Sequence, residues 1–239
     1  MRKKYVFIIV ILILIAGVGT YIKSGTVNKS YYIMKGSELE TSVYFINGEE
    51  NGAKIFIIGG IHGNEIAGIE AAEKIKKLNI KKGKIIVIPK CNIEACKNGE
   101  RNPYYMQDLN RNFPGKDNGT DTERLAYEIY NLIKKEKPDI VIDLHEWESS
   151  SPAIIFNSTK NAFPLILTII DKMNNDIIGV KNFSYYSTPP PGSINKEVSQ
   201  RLNIPIITIE SYMKEKLEDR INMHINIVNT VLKYYGMDE

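Results

Sequence analysis

Four short apolar runs constrain this chain more than any other feature. They lie at 54–60 (KIFIIGG), 84–89 (KIIVIP), 139–144 (DIVIDL) and 204–209 (IPIITI). None alternates apolar with polar residues, so each reads as a strand covered on both faces. Helical patterns separate them: 65–78 and 122–137 have clear amphipathic rhythm, and 162–175 and 195–202 follow. A last helix is expected over 217–235, and 42–46 alternates as a half-buried strand does. Buried strands interleaved with helices predict an α/β domain with a largely parallel or mixed sheet. Residues 24–35 are polar and aperiodic, suiting a linker or a leading strand, and the three prolines of 188–193 (TPPPGS) make a stiff loop.

The N-terminus is organised differently. Met1-Arg2-Lys3-Lys4 precedes the uncharged stretch YVFIIVILILIAGVGTYI, residues 5–22. As a helix it would span about 27 Å, close to the hydrocarbon thickness of a bilayer. The positive charges before it place the N-terminus on the cytoplasmic side and the rest outside. Residues 1–26 therefore read as a transmembrane anchor of a single-pass cell-membrane protein with an extracytoplasmic domain over 27–239. The alternative is a signal peptide that is cleaved to release a secreted protein, although no clear A-x-A site follows. With 31 Lys and Arg against 28 Asp and Glu, the charge balance gives no case for nucleic acid as partner. Cys91 and Cys96 are too few for a disulfide scaffold and lack further spaced ligands for a zinc pair; they read as small apolar residues near a strand end, with a disulfide closing a very small loop as the alternative.

Three of the apolar runs end in residues that bind metals or move protons: GGIHGNE after the first, DLHE and TIES at the other two. In open α/β sheets, ligands bind beyond the carboxyl ends of the strands, so these groups would converge. His62 and Glu65 are three residues apart, which puts both on one side at the mouth of a helix. Gly59, Gly60 and Gly63 permit a tight turn beside them. With His145, they make a set of two imidazoles and one carboxylate, a ligand set of catalytic zinc sites with one position left open. In the segment RNPYYMQDLNRNFPG, Arg111 offers a planar fork for a carboxylate and Asn110 an amide donor. Arg101 would bring a second cation near the metal, to steady a developing oxyanion, unless Asp108 takes it up as a local partner. Asp143 is a candidate to orient an imidazole from behind. Tyr185, Tyr186 and the 188–193 loop are candidates for a wall of the substrate pocket, with plain packing as the alternative for the tyrosines, and Trp147 stands equally between the two. His224, distant in sequence from every motif, reads as structural.

Taken in order, GGIHGNE, DLNRNFPG, TERLA, DLHE and the late strand-end glutamate of TIES resemble the zinc carboxypeptidase superfamily, and within it the succinylglutamate desuccinylase/aspartoacylase-like branch. The resemblance covers roughly residues 52–212. It implies a mixed central sheet flanked by helices, the zinc carboxypeptidase-like (phosphorylase/hydrolase-like) fold. It also implies one Zn2+ per chain on His62, Glu65 and His145, a substrate carboxylate held by Asn110 and Arg111, Arg101 near the carbonyl-polarising position, and Glu210 as general base. Two departures stand out. The chain leaves no room for the separate C-terminal β-domain common in the deacylase branch, and Glu146 and Glu148 add two acids beside His145, rivals to Glu210 by proximity.

Two enzymatic readings share this chemistry. One is a carboxypeptidase-like hydrolase of peptides, including cell-wall peptides, which the expected location favours. The other is an N-acyl amino acid deacylase, which the motifs favour. A non-catalytic carboxylate- or peptide-binding protein is the reading from outside enzymology.

Overall fold

In the computed structural model, residues 29–149, 151–157, 162–175 and 183–237 are described. Their strands form one eight-stranded sheet in the order β1-β2-β4-β3-β5-β8-β6-β7. The strands are β1 (Lys29–Ile33), β2 (Thr41–Asn47), β3 (Glu50–Gly59), β4 (Lys82–Ile88), β5 (Ile140–Trp147), β6 (Ala153–Phe156), β7 (Ser184–Tyr186) and β8 (Ile206–Tyr212). The central four, β4, β3, β5 and β8, run parallel, whereas β2 joins β4, and β6 joins β8, antiparallel. The sheet is therefore mixed, as expected.

Six α-helices accompany it among the described residues: α1 (Ile66–Ile75), α2 (Ile93–Asn98), α3 (Asp121–Glu136), α4 (Phe163–Asn175), α5 (Ile194–Leu202) and α6 (Leu217–Tyr234). Strand β3 shows why the central runs are apolar throughout. Ile55 and Ile57 bury against residues of α1, α4 and α6, while Phe56 and Ile58 bury against residues of α3 and α5. Each residue from Ile55 to Ile58 therefore meets a hydrophobic layer, and full burial of one such side chain contributes about 1.5–3 kcal/mol.

Helix α3 is closed at its start by a capping box. The Thr120 hydroxyl accepts from the Glu123 amide, and the Glu123 carboxylate accepts from the Thr120 amide. Glu65 is the N-cap residue of α1 and lies outside the helix proper.

The structure corrects the strand limits in one way that matters for function. Strands β5 and β8 do not stop before the chemistry but carry it. Their parallel register continues through His145 opposite Glu210 to Trp147 opposite Tyr212. Partners in register on neighbouring strands project to the same side, so His145 and Glu210 emerge together.

Strand β1 realises the leading-strand reading of 24–35. Two short strands, β6 and β7, and helix α2 escaped the sequence pattern. The apolar stretch at 5–22 lies outside the described residues, so the expected transmembrane helix is not part of the structure described. Among the described residues, no helix is long and apolar enough to cross a membrane.

Candidate active site

The site is built where β3, β5 and β8 deliver their carboxyl ends. After β3 the chain turns at Gly60, whose φ of +72° suits glycine, and continues through His62 to Glu65. Gly63 rests against α2 so closely that a Cβ there would lie 2.0 Å from the Ala95 carbonyl carbon. A side chain at Gly63 would push the His62–Glu65 turn off its seat.

His62, Glu65 and His145 are buried, and one ligand atom from each lies within 4.8 Å of the others. Both imidazoles turn Nδ1 towards Glu65: His62 Nδ1 is 2.6 Å from Oε1, and His145 Nδ1 is 2.7 Å from Oε2. Both also have a carboxylate behind them. Nε2 of His62 donates to Asp108 Oδ1 at 3.0 Å, and Nε2 of His145 donates to Asp143 Oδ2 at 2.9 Å. Acids placed behind an imidazole fix its tautomer and aim the other nitrogen, the arrangement metal-binding histidines use. The donor set therefore fits a divalent cation of the zinc type. Burial works against the Glu65 carboxylate, yet His145 and then His62 outweigh it and hold its pKa near 2. Burial likewise opposes charge on His145, and Asp143 and Glu65 overcome it and push that pKa well up.

Arg101 proves to be divided between two acids. Its Nη2 donates to Asp108 Oδ2 at 2.8 Å, the local pairing that competed with its catalytic reading, and Nη1 lies 3.7 Å from Glu65 Oε1. It still borders the cleft. Burial opposes the Asp108 carboxylate, but His62 and Arg101 hold it well below the usual carboxylate range.

Asn110 is more engaged than its sequence suggests. Its side-chain oxygen accepts from the Ile194 amide at 3.0 Å, and its nitrogen sits 3.4 Å from His145 Nε2. Arg111 is exposed and has no carboxylate partner among the described residues; its side chain donates from Nη1 to the Asn110 carbonyl at 2.7 Å.

Glu210 and its two rivals separate cleanly. Burial pushes the Glu210 carboxyl up to about 8, with His145 opposing and Glu65 and Asp143 reinforcing the shift. Glu146 is buried and fully engaged: Oε1 accepts from Ser211 Oγ at 3.1 Å and from Arg220 Nη1, and Oε2 accepts from the Ala67 amide at 2.8 Å. Glu148 is exposed and without a partner among the described residues. Of the three, Glu210 is the partly buried carboxyl that burial shifts upward and that has no ion pair among the described residues.

A cavity of about 340 Å³ covers the site, bordered by His62, Glu65, His145, Arg101, Asn110, Arg111 and Glu210. Trp147, Pro189, Pro190 and Met213 add walls. The 188–193 loop thus contributes to the pocket, whereas Tyr185 packs on Phe156 and Phe163, and Tyr186 packs edge-on against Trp147. The cysteines are free; burial pushes Cys91 well above the usual thiol range and Cys96 up to about 12, so both are inert packing groups.

Sequence reasoning missed two parts of the site. Asp108 reads in the sequence only as an arginine partner, although its place two residues before Asn110 in DLNR is an available signal. The Glu146 anchor left no signal beyond an acid beside a ligand. His224 is structural, as read, but not remote: its Nε2 lies 3.2 Å from Ser211 Oγ, the same hydroxyl that reaches Glu146.

Residues 51–226 match the family model described as succinylglutamate desuccinylase/aspartoacylase catalytic domain. The N-alpha-acetyl-L-2,4-diaminobutyric acid deacetylase of Halomonas elongata is 35% identical over 98 residues, covering 39% of this chain and 28% of that protein. The succinylglutamate desuccinylase of Pseudomonas aeruginosa (strain LESB58) is 34% identical over 113 residues, covering 42% and 33%. The match therefore spans about a third or less of these curated relatives. Among solved structures, the succinylglutamate desuccinylase/aspartoacylase from Rhodobacter sphaeroides superposes with a TM-score of 0.70 at 21% identity, covering 91% of this chain and 67% of that one.

Proposed function

The chain belongs to the succinylglutamate desuccinylase/aspartoacylase family, and from that premise we propose that it is a zinc-dependent hydrolase that cleaves the amide bond of an N-acyl amino acid. The observation that carries this reading is the trio His62, Glu65 and His145, with ligand atoms within 4.8 Å of one another and the rear nitrogens of both imidazoles tied to carboxylates. Family and pocket together favour acyl amino acids over the peptides that the expected location suggested.

His62, Glu65 and His145 would hold the zinc, which when bound supplies a Lewis acid that acidifies water and polarises a carbonyl. The chain's own residues do the rest. Arg111, the uncommitted guanidinium at the cleft, receives the substrate carboxylate. That grip positions the scissile amide over the ligand trio, which converts an encounter into an oriented reaction. Glu210 takes the proton of the attacking water on its carboxylate and passes it to the nitrogen of the leaving amine. Burial raises this carboxyl above the ordinary glutamate range, which makes it a stronger proton acceptor. Arg101, paired with Asp108 and 3.7 Å from Glu65, keeps a positive charge beside the trio, where it would favour a developing oxyanion. Trp147, Pro189 and Pro190 give the site its apolar border. The apolar segment at 5–22 supports placing this domain outside the cytosol on a membrane anchor.

The test is amine release by the zinc-loaded full-length chain from N-acetyl and N-succinyl amino acids, with short peptides in parallel. Hydrolysis of the acyl amino acids, abolished by a chelator and restored by zinc, is expected. Turnover of peptides alone would move the assignment to a carboxypeptidase. Binding of carboxylates without any turnover would make the protein a binding module on this fold.

A further inference from the structure

The first turn of α5 carries a buried polar side chain that the proposed mechanism leaves unused. Asn195 is 2% exposed and borders the cavity. Its side-chain nitrogen donates to the Ile155 carbonyl and to the Thr208 hydroxyl, both at 2.9 Å. Ile155 and Thr208 are partners across β6 and β8, so Asn195 bridges the two strands. Its backbone is held by the helix around it. The Ser193 hydroxyl caps α5 by accepting from the Lys196 amide at 3.2 Å, and the Asn195 carbonyl accepts from Ser199 Oγ at 2.6 Å.

The Thr208 hydroxyl lies 3.3 Å from Asp143 Oδ2, the oxygen that also accepts from His145 Nε2 at 2.9 Å. A hydroxyl has one proton to give. Thr208 gives it to the carboxylate and accepts from Asn195, so donation runs one way, from Asn195 to Thr208 to Asp143. The strand register builds this arrangement. Asp143 stands opposite Thr208, and two residues further along, His145 stands opposite Glu210. All four therefore project to one side of the sheet. Asp143 has no lysine or arginine partner among the described residues, and its Oδ1 is buried without a hydrogen-bond partner. The Thr208 hydroxyl is thus what distinguishes the two carboxylate oxygens. Without it, either oxygen serves His145 Nε2 equally well, and the ring loses its fixed aim. The residue before Asn195 reaches the same ring from another side. The Ile194 amide donates to Asn110 Oδ1, and Asn110 Nδ2 lies 3.4 Å from His145 Nε2.

We propose that Asn195 and Thr208 are positioning residues of the metal site, acting through Asp143 to set the direction in which His145 presents Nδ1. This rests on the His62, Glu65 and His145 trio of the hydrolase reading and extends that site to α5. Neither residue belongs to the trio. They hold the carboxylate that holds the imidazole, and so tie His145 to the wall that Pro189, Pro190 and Ser193 give the cavity. Buried polar chains of this kind act as a unit, because losing one member leaves its neighbours unpaired.

The experiment is a double-mutant cycle on zinc affinity, read by chelator competition with the full-length chain. Thr208→Val keeps the side-chain shape and removes the hydroxyl. Zinc affinity should then fall by about tenfold, the lower end of the cost of losing a ligand's hydrogen-bonded support. Thr208→Ser should keep the wild-type value, and Asn195→Leu should lose about threefold or more. In a single chain of bonds, Thr208→Val combined with Asp143→Asn should bind zinc no more weakly than Asp143→Asn alone. Wild-type affinity in Thr208→Val overturns the proposal. So do losses that multiply in the double variant, which is the result a merely structural role gives. If the wild-type chain takes up no zinc, the reading of the trio fails by itself, and the metal-free protein decides the role of Thr208. The NMR resonance of the His145 Nε2 proton should shift or vanish in Thr208→Val and persist in Thr208→Ser; an unmoved resonance in Thr208→Val overturns the proposal.

Discussion

The backbone amide of Glu146 donates to Oε2 of Glu65 at 3.1 Å. The residue that follows His145 therefore holds the Glu65 carboxylate, across 81 positions of sequence. The Glu146 side chain reinforces the same junction. It accepts from the Ala67 amide at the start of α1 and is clamped from α6 by Arg220. The position of Glu65 is thus tied to a helix on the far side of the chain.

That clamp sets the first prediction. The Glu146 carboxylate is inaccessible, and its partner is nearly so, with side-chain exposures of 0% and 15%. Arg220→Met leaves a buried charge unpaired and should cost about 3–5 kcal/mol in urea unfolding of the metal-free protein. Zinc affinity, read by competition with a chromophoric chelator, should weaken with it. Loss of less than about 1 kcal/mol, the range of a surface pair, would contradict the clamp.

Asp108 and Asp143 stand behind the imidazoles of His62 and His145, outside the His62, Glu65 and His145 trio. Asp143→Asn and Asp108→Asn should each lower zinc affinity by about 10–100-fold, the usual cost of losing such a partner. Chelator competition measures it directly. An unchanged affinity in both variants would show that the imidazoles hold their direction unaided.

Glu210→Gln keeps the size of the side chain and removes the proton acceptor. Turnover should fall by about 10²–10⁴-fold, in line with loss of a general base. Zinc content should stay at the wild-type level, since Glu210 is not among the ligand trio. Activity that survives the substitution would pass the proton transfer to Glu148, since Glu146 is held in its ion pair.

His224 gives the fold an acid-sensitive point. Burial pulls its pKa down to about 3, helped by the nearby positive His145 and Arg220 and opposed by Glu65. The folded protein therefore keeps this imidazole neutral, while the unfolded chain protonates it near the ordinary value of 6.5. Between those values the unfolded state binds the extra proton, so stability falls as pH drops from about 6.5 towards 3, by on the order of a few kcal/mol. In chelator-treated protein, His224→Leu should flatten this part of the pH–stability curve. Identical curves for the two proteins would contradict the assignment.

Much of the site was legible because its chemistry sits on strongly patterned elements. A strand buried on both faces announces itself as an apolar run, and polar residues ending such runs in GGIHGNE, DLHE and TIES had few reasons to be there except the cleft. The limits of β5 and β8 were not legible, because nothing local distinguishes His145 or Glu210 inside a strand from the same residues just beyond one; the register between the two strands decides it. Strand β7 is three residues long and gains its conformation from pairing with β6, so its tyrosines could be weighed as pocket wall when one packs on Phe156 and Phe163 and the other on Trp147. The roles of Asp108, Glu146 and Arg220 are tertiary: each depends on a partner that only the folded chain brings near.

The central claim is that His62, Glu65 and His145 jointly hold one catalytic cation. Titrating the metal-stripped full-length chain with zinc, by calorimetry, tests it most directly. The account predicts one ion per chain, with that site lost in His62→Ala, Glu65→Ala and His145→Ala alike while each variant keeps its far-UV circular dichroism. Folded protein that takes up no zinc, or takes it up equally well without these side chains, would contradict it.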